Sequence, residues 1–119
     1  MLLGRYGEAL AAEYLRKKGC RILAMNYRTR LGELDVIAAD RRYVIFAEVK
    51  LRKNAAFAEA REFVTFAKRQ KLAAAAEEWL QKNPQKLQPR FDVIEIYAPD
   101  GMDTIKPDIH HWENAFTLD

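Results

Sequence analysis

In the stretch YVIFAEVKLR (43–52), Tyr43, Val44, Ile45 and Phe46 are all apolar, yet Glu48 and Lys50 follow on the face that Val44 and Phe46 have made apolar. Side chains alternate along a strand, so this carboxylate and ammonium share a face about 6.5 Å apart. The segment before it, ELDVIAA (33–39), carries Glu33, Asp35 and Ile37 on one face of its own. A two-residue hairpin loop at Arg41 and Arg42, or a four-residue loop closed by Ala39 and Val44, gives paired residue numbers that sum to 83. Asp35 then stands directly opposite Glu48, with Cβ atoms roughly 5 Å apart. A three-residue loop without a bulge shifts the register by one and spoils the pairing, so the even loop is the expectation.

Two carboxylates that close repel each other unless positive charge lies between them. Lys50 supplies one such charge, and a divalent cation is the other candidate. Carboxylate sites made only of oxygen suit Mg²⁺ or Mn²⁺, held by a few acids and waters. A metal bound there polarises a phosphoryl oxygen and lowers the pKa of a bound water. Lys50 is placed to orient that water, or to stabilise the charge that develops at phosphorus. A structural salt-bridge cluster at the end of a sheet accounts for the same residue types, because an isolated Glu-x-Lys in a strand says little. The correctly phased acid on the neighbouring strand is worth much more.

The elements that must hold these groups follow from periodicity. Residues 2–18 are expected to form an amphipathic helix, with Leu3, Gly7, Leu10 and Tyr14 on one stripe and Ala11 and Leu15 beside it. Lys17, Lys18 and Gly19 suit its C-terminus. CRILAMNYR (20–28) reads as a first strand, TRLG as a turn, and 33–39 and 43–52 as the second and third strands. The stretch KNAAFAEAREFV fits either a loop or a short helix. Thr65 is a candidate N-cap for a helix from 66 to about 82, with Leu72, Ala76 and Trp79 on one face, and NPQKLQP breaks it. RFDVIEIYA (90–98) reads as a fourth strand, and Asp100-Gly101 turns the chain into a last strand around 103–112. This order is α/β, and the long helix between strands three and four makes those two parallel through a right-handed crossover.

A chain of 119 residues is one domain's worth, and 50% hydrophobic with 31% charged residues excludes a disordered chain. The net charge of +3 permits a polyanionic partner without requiring one. A single cysteine excludes an intrachain disulfide and a Cys-rich zinc site, which leaves Cys20 as a small, partly buried hydrophobe at a strand start. His110 and His111 have no third ligand of zinc type in the sequence around them and read as structural. The chain contains no P-loop, dinucleotide fingerprint or nucleophile elbow. MLLGRYGEAL lacks the apolar stretch of a signal peptide and no segment approaches membrane-spanning length, so no membrane partner and a cytoplasmic location are expected.

Asp35 followed by Glu48-Val49-Lys50 in the next strand resembles the PD-(D/E)xK motif of metal-dependent nucleases, with Leu34 where the usual Pro stands. The segments GRYGEALAAEYLRKKG, NYRTRLGELDVIAAD, VIFAEVKLR and FDVIEIY together resemble the YraN family of bacterial proteins, which is grouped with the archaeal Holliday-junction resolvases. The resemblance runs from the first helix through the fourth strand. It implies a restriction-endonuclease-like α/β fold, a mixed central sheet of about five strands flanked by helices, over residues 1–119. It further implies Asp35 and Glu48 as metal ligands, the Val49 carbonyl as a third, and Lys50 as the catalytic lysine. Glu8 matches the acid that often completes such sites, although its place at the edge of the apolar stripe also suits a boundary glutamate or a partner for Arg5. Gly32 and Glu33 match the family's GE(L/I)D, with Gly32 serving the turn and Glu33 a supporting acid. Related nucleases carry Gln-x-x-x-Tyr on the second helix; here Gln70 is followed by Ala74, which leaves Gln70 a minor role. Asp92, in an apolar strand, reads as a turn-side or edge residue.

Arg28, Arg30, Arg52 and Lys53 flank the ends of the acid-bearing strands, and Lys68, Arg69 and Lys71 lie in the first turns of the second helix. Cations near a helix N-terminus oppose its dipole, and phosphate binding would explain them, as would a merely solvated basic face. Tyr6, Tyr27 and Phe57 belong to the core before they belong to base stacking. The expectation is a Mg²⁺- or Mn²⁺-dependent DNA endonuclease that leaves a 5′-phosphate, as the superfamily does. DNA bound by Arg28, Arg30, Arg52 and Lys68 is its partner, and a two-fold homodimer is what symmetric cleavage of a four-way junction requires. A non-catalytic nucleic-acid-binding module on the same fold is the alternative, and a protein-interaction domain with a structural acid cluster is a third.

Overall fold

The computed structural model describes residues 2–53 and 65–116, so the stretch that suits either a loop or a helix, Phe57 included, lies outside the described residues beyond Lys53. Helix α1 (Leu2–Lys17) leads into strands β1 (Arg21–Arg28), β2 (Glu33–Ala39) and β3 (Tyr43–Arg52). Helix α2 (Phe66–Lys82), strand β4 (Gln88–Tyr97), a 3-10 turn at Gly101–Asp103 and strand β5 (Asp108–Phe116) follow. The strands form one sheet in the order β1-β2-β3-β4-β5, antiparallel throughout except for the parallel pair β3–β4. This is an α/β fold with a mixed five-strand sheet and a helix on each face.

Alternation sorts the strand residues between the two faces. Val44, Phe46, Phe91, Val93 and Ile37 pack against Leu72, Ala75, Ala76 and Trp79 of α2. Ile45, Ala47, Ile94, Ile96, Val36 and Ala38 pack against Ala11 and Leu15 of α1. The α2 face is dense with rings, with Phe46 stacked on Phe91 at 5.5 Å and edge-on to Trp79 at 5.9 Å. No helix among the described residues is long and apolar enough to cross a membrane.

Local chemistry ends the elements where the sequence suggests. Gly19 takes φ +96°, its N–H donates to Arg16 O at 2.9 Å, and the Cys20 N–H donates to Leu15 O at 3.0 Å. That is a Schellman cap, which costs a side-chain-bearing residue its preferred φ. Thr65 caps α2, its hydroxyl accepting from the Lys68 N–H at 3.2 Å. The β2–β3 loop is even, as expected, and takes the two-residue form: Asp40 N–H donates to Tyr43 O at 3.0 Å, and the Asp40 carboxylate accepts from the Arg42 and Tyr43 amides at 2.8 and 2.7 Å.

The larger departures from expectation lie in β4 and β5. β4 starts at Gln88 rather than 90 and includes Pro89. It can, because β5 pairs only from Phe91 onward and leaves Pro89 an open side. The Asp100-Gly101 segment does not enter a strand directly: residues 101–103 wind into a 3-10 turn, and β5 covers Asp108–Phe116 rather than 103–112. Gly32, expected to serve the turn, is not among the residues with positive φ; its need for hydrogen is steric. A Cβ there would lie 2.6 Å from the Lys71 carbonyl oxygen of α2. The β1–β2 turn is thus the point on which the first turns of α2 rest. Gly32→Ala is expected to destabilise by about 1–3 kcal/mol, as overpacking does, and to displace Lys68 and Lys71. Chemical denaturation checks the first, and an unchanged midpoint would show that α2 yields freely there.

Candidate functional site

The β2–β3 ladder runs from Ala39↔Val44 to Val36↔Ala47, in the register that places Asp35 opposite Glu48. One step beyond Val36↔Ala47 the ladder gives way to a side chain: the Asp35 carboxylate accepts the Val49 N–H at 2.8 Å. Asp35 and Glu48 line one cavity of about 230 Å³ together with Gly32, Glu33, Lys68, Lys71 and Leu72. Glu48 is only 8% exposed. Its Oε1 receives two ammonium groups, Lys68 Nζ at 2.9 Å and Lys50 Nζ at 3.5 Å.

The electrostatics follow from this crowding. Burial, then the Glu48 charge, pushes the Asp35 carboxyl up to about 7; the Val49 N–H offsets part of the rise, and the charges of Glu8 and Glu33 add to it. Burial, with the Lys68 ammonium against it, holds Lys50 below the ordinary lysine range despite the pull of Glu48. Burial also acts on Lys68, but its bonds to Lys50 and Glu48 and the charges of Glu48 and Asp35 outweigh it and raise that ammonium. The two ammonium groups are thus set apart, Lys68 holding its proton more tightly than an ordinary lysine and Lys50 less tightly. Perturbed groups in a cavity mark a site at which chemistry is expected.

The other sequence-selected residues distribute around this pocket. Val49 engages it through its amide N–H, while its side chain packs on the α1 face with Gly7 close by. Glu8 lines a second, open cleft of about 510 Å³ with Gly4, Arg5, Asn26, Arg28 and Glu33. Glu33 lines both cavities and pairs with Arg28 at 3.5 Å. Among the described residues no three acidic, histidine or cysteine side chains gather as a ready cation site. Glu8 thus bears on Asp35 through its charge and is not drawn into a triad with Asp35 and Glu48 as the resemblance implies.

Lys68, expected to meet nucleic acid, reaches from α2 to the acid pocket with its side chain half-buried. Arg30 is exposed on the β1–β2 turn, and Lys53 is exposed just past β3. Arg52 turns toward Glu95 Oε2 at 4.0 Å. Gln70 lines a different cavity, of about 380 Å³, between α2 and the start of β4, and is not brought to the acids. Tyr27 packs at the core margin and donates to Glu78 at 3.3 Å.

Two acids were missed or misread in the sequence. Glu95 is 1% exposed, pairs across the parallel ladder with Lys50, and accepts the Tyr97 hydroxyl at 2.7 Å. The phase of FDVIEIY signals a buried acid, but only the β3–β4 register puts it beside Lys50. Asp92 is not an edge residue: it is fully buried on the α1 face. Arg90 grips it through Nε and Nη2 at 2.9 Å each, His111 Nε2 meets it at 2.7 Å, and the Asn114 N–H donates to it at 2.9 Å. His111 continues through Nδ1 to the Tyr14 hydroxyl of α1 at 3.1 Å, a structural role as expected.

Comparison with known proteins gives the chain its relatives. A family model described as "Uncharacterised protein family UPF0102" matches residues 7–96. A UPF0102 protein of Geotalea daltonii is 44% identical over 117 residues, covering 98% of this chain and 90% of its own length. One from Syntrophotalea carbinolica is 40% identical over 118 residues, covering 98% and 93%. Another from Clostridioides difficile is 42% identical over 114 residues, covering 95% of each.

Proposed function

The chain belongs to the uncharacterised protein family UPF0102, the YraN-like bacterial proteins, and for this member of it we propose a metal-dependent endonuclease on a restriction-endonuclease-like sheet, acting on DNA. The observation that carries the reading is the Asp35–Glu48 pair. Two acids are held at one sheltered spot at the end of a ladder, and one of them is pushed to about 7 by burial and by the other. A protein gains no stability from that arrangement, whereas a divalent cation between the two acids removes the repulsion. The donors are all oxygen, which suits Mg²⁺ or Mn²⁺, and one or two carboxylates with waters are what Mg²⁺ commonly takes from a protein.

Asp35 and Glu48 would hold the ion, with the Val49 carbonyl as a further oxygen donor. When bound, the ion supplies Lewis acidity to a phosphoryl oxygen and acidity to a water. Lys50, lowered by burial and by Lys68, is suited to accept a proton from the attacking water and to stay within reach of Glu48 as it does so. The water oxygen forms the new bond to phosphorus as the bond to the 3′-oxygen breaks, and that oxygen takes a proton from solvent, which leaves a 5′-phosphate and a 3′-hydroxyl. The Val49 N–H donates to one oxygen of the Asp35 carboxylate, Oδ2, and so fixes that side chain. Arg28 and Arg30, exposed beside the cavity, would take flanking phosphates.

Labelled linear, flapped, single-stranded and four-way DNA, each with Mn²⁺, Mg²⁺ or EDTA, tests this directly. Wild type is expected to cut with metal only, and Glu48→Ala to lose at least about a hundredfold of the rate. The rate ranking names the target. A second reading, a binding module without chemistry, draws on the two lysines that already neutralise Glu48. It predicts salt-sensitive DNA affinity indifferent to metal and to Glu48→Ala. No cutting of any substrate by wild type, together with that pattern, would replace the enzyme with the module.

A further inference from the structure

We propose that Lys68 is a built-in competitor of the metal at Glu48, a positioning residue that makes the cation and a phosphodiester enter the pocket together. The inference deepens the nuclease reading and rests on it. Two ammonium groups converge on one oxygen, Glu48 Oε1, with Lys68 the nearer at 2.9 Å and Lys50 at 3.5 Å. A structural salt bridge needs one partner, and Lys50 is already on the same strand as Glu48.

Lys68 is brought there from another element, at a position that disfavours it. It lies in the first turn of α2, where no acid is present and a cation opposes the helix dipole. Two constraints nevertheless hold that turn over the acids. The Thr65 hydroxyl takes the Lys68 N–H, and Gly32 admits the α2 backbone at Lys71 to a distance that any Cβ would block.

Charge counting shows what this achieves. With Asp35 and Glu48 ionised, Lys68 protonated and Lys50 neutral as the base, the cluster carries one negative charge without a metal. The other two charged residues of the cavity, Glu33 and Lys71, cancel one another. A dication alone leaves the pocket with one positive charge in excess, in a sheltered cavity where water screens poorly. A phosphodiester returns one negative charge and restores neutrality, and the proton of the attacking water passes to Lys50 without changing the total. Lys68, displaced from Glu48 by the metal, remains on the cavity wall, where its ammonium can turn to a phosphate oxygen. Metal affinity is therefore low until phosphate arrives, and Lys68 sets that threshold.

Calorimetric titration of Mn²⁺ tests the inference, alone and with a thymidine dinucleotide phosphodiester, on wild type, Lys68→Met and Lys71→Met. Methionine keeps the length and stem of lysine without its charge; Lys71 is exposed and Lys68 half-buried on the cavity wall, and neither belongs to the apolar core on either face of the sheet. Lys68→Met is expected to bind Mn²⁺ alone about tenfold more tightly than wild type and to lose most of the enhancement the dinucleotide gives wild type. Lys71→Met is expected to keep that enhancement. Equal Mn²⁺ affinity in wild type and Lys68→Met overturns the inference and leaves the nuclease reading in place. The same change in both variants overturns it too, because a general loss of positive charge would then suffice. Failure of every variant to bind Mn²⁺ defeats the nuclease reading, and this inference with it.

Discussion

Asp35→Asn is expected to make the metal-free protein more stable at pH 8 while abolishing metal-dependent cleavage. The folded-state carboxyl sits at about 7 against an ordinary 3.8, so the native state holds this proton more tightly than the unfolded chain does. A group raised in this way lends stability that is complete below pH 4 and lost as pH rises through 7. The loss amounts to about 4 kcal/mol as an upper figure, from the size of the shift. Asparagine cannot ionise, yet its side-chain oxygen still accepts the Val49 N–H. Denaturant unfolding in EDTA should therefore show the variant ahead of wild type by roughly 2–4 kcal/mol at pH 8 and level with it near pH 4. Mg²⁺ should close the gap at pH 8 by stabilising wild type alone, since binding to the native state adds to its stability. A variant that is no more stable than wild type at pH 8 would show that the Asp35–Glu48 repulsion is relieved within the protein, and the case for a cation would go with it.

That repulsion was legible in the sequence because it depends on two short-range facts. The strand period of two fixes which residues share a face, and the even loop at Arg41–Arg42 fixes the register; together they set Asp35 against Glu48. The Gly19 cap, the Thr65 cap and the parallel β3–β4 pair were readable for similar local or topological reasons. What sequence did not reveal depends on which residues meet across long separations. Glu95 is apolar-flanked in sequence, and its place beside Lys50 is set by the ten-residue β3–β4 register. Lys68 looked like a surface cation because nothing local shows that Gly32 lets α2 settle against the β1–β2 turn. Glu8 shares a helix phase with buried residues, but the structure assigns it to the cleft with Arg5 and Arg28 and leaves only its field at Asp35. The structure gathers Asp35, Glu48, Lys50 and Glu33 in one neighbourhood and leaves Gln70 beside a different cavity.

Asp92 shows the same limit in its strongest form, and it supports the second large effect. On β5 the register against β4 changes between Val93↔Trp112 and Phe91↔Phe116, and Asn114 within that bulge takes φ +51°. A bulge leaves backbone groups outside the ladder, and here the Asp92 carboxylate accepts the Asn114 N–H while also binding Arg90 and His111. Burial alone would raise this acid; its bonds to His111, Arg90 and Asn114 outweigh burial and hold it below the ordinary carboxylate range. Removing it takes the acceptor from a bulge amide, leaves a guanidinium that is 10% exposed with Glu113 alone as its acid, and leaves an imidazole that is 4% exposed with only its Tyr14 contact. Asp92→Ala is therefore expected to cost about 3–5 kcal/mol at pH 7, the range for breaking a buried ion pair from one side. The sign of the pH dependence is opposite to that at Asp35. A depressed carboxyl gives stability that is present above its unfolded value near 4 and lost as pH falls through its folded value, so the gap between wild type and variant should narrow in acid. Because His111 ties this network to Tyr14 of α1, the variant should also loosen the helix that carries Glu8, which hydrogen exchange at residues 8–17 would register. A cost under about 1 kcal/mol would mean that the bulge and the helix are held by packing alone.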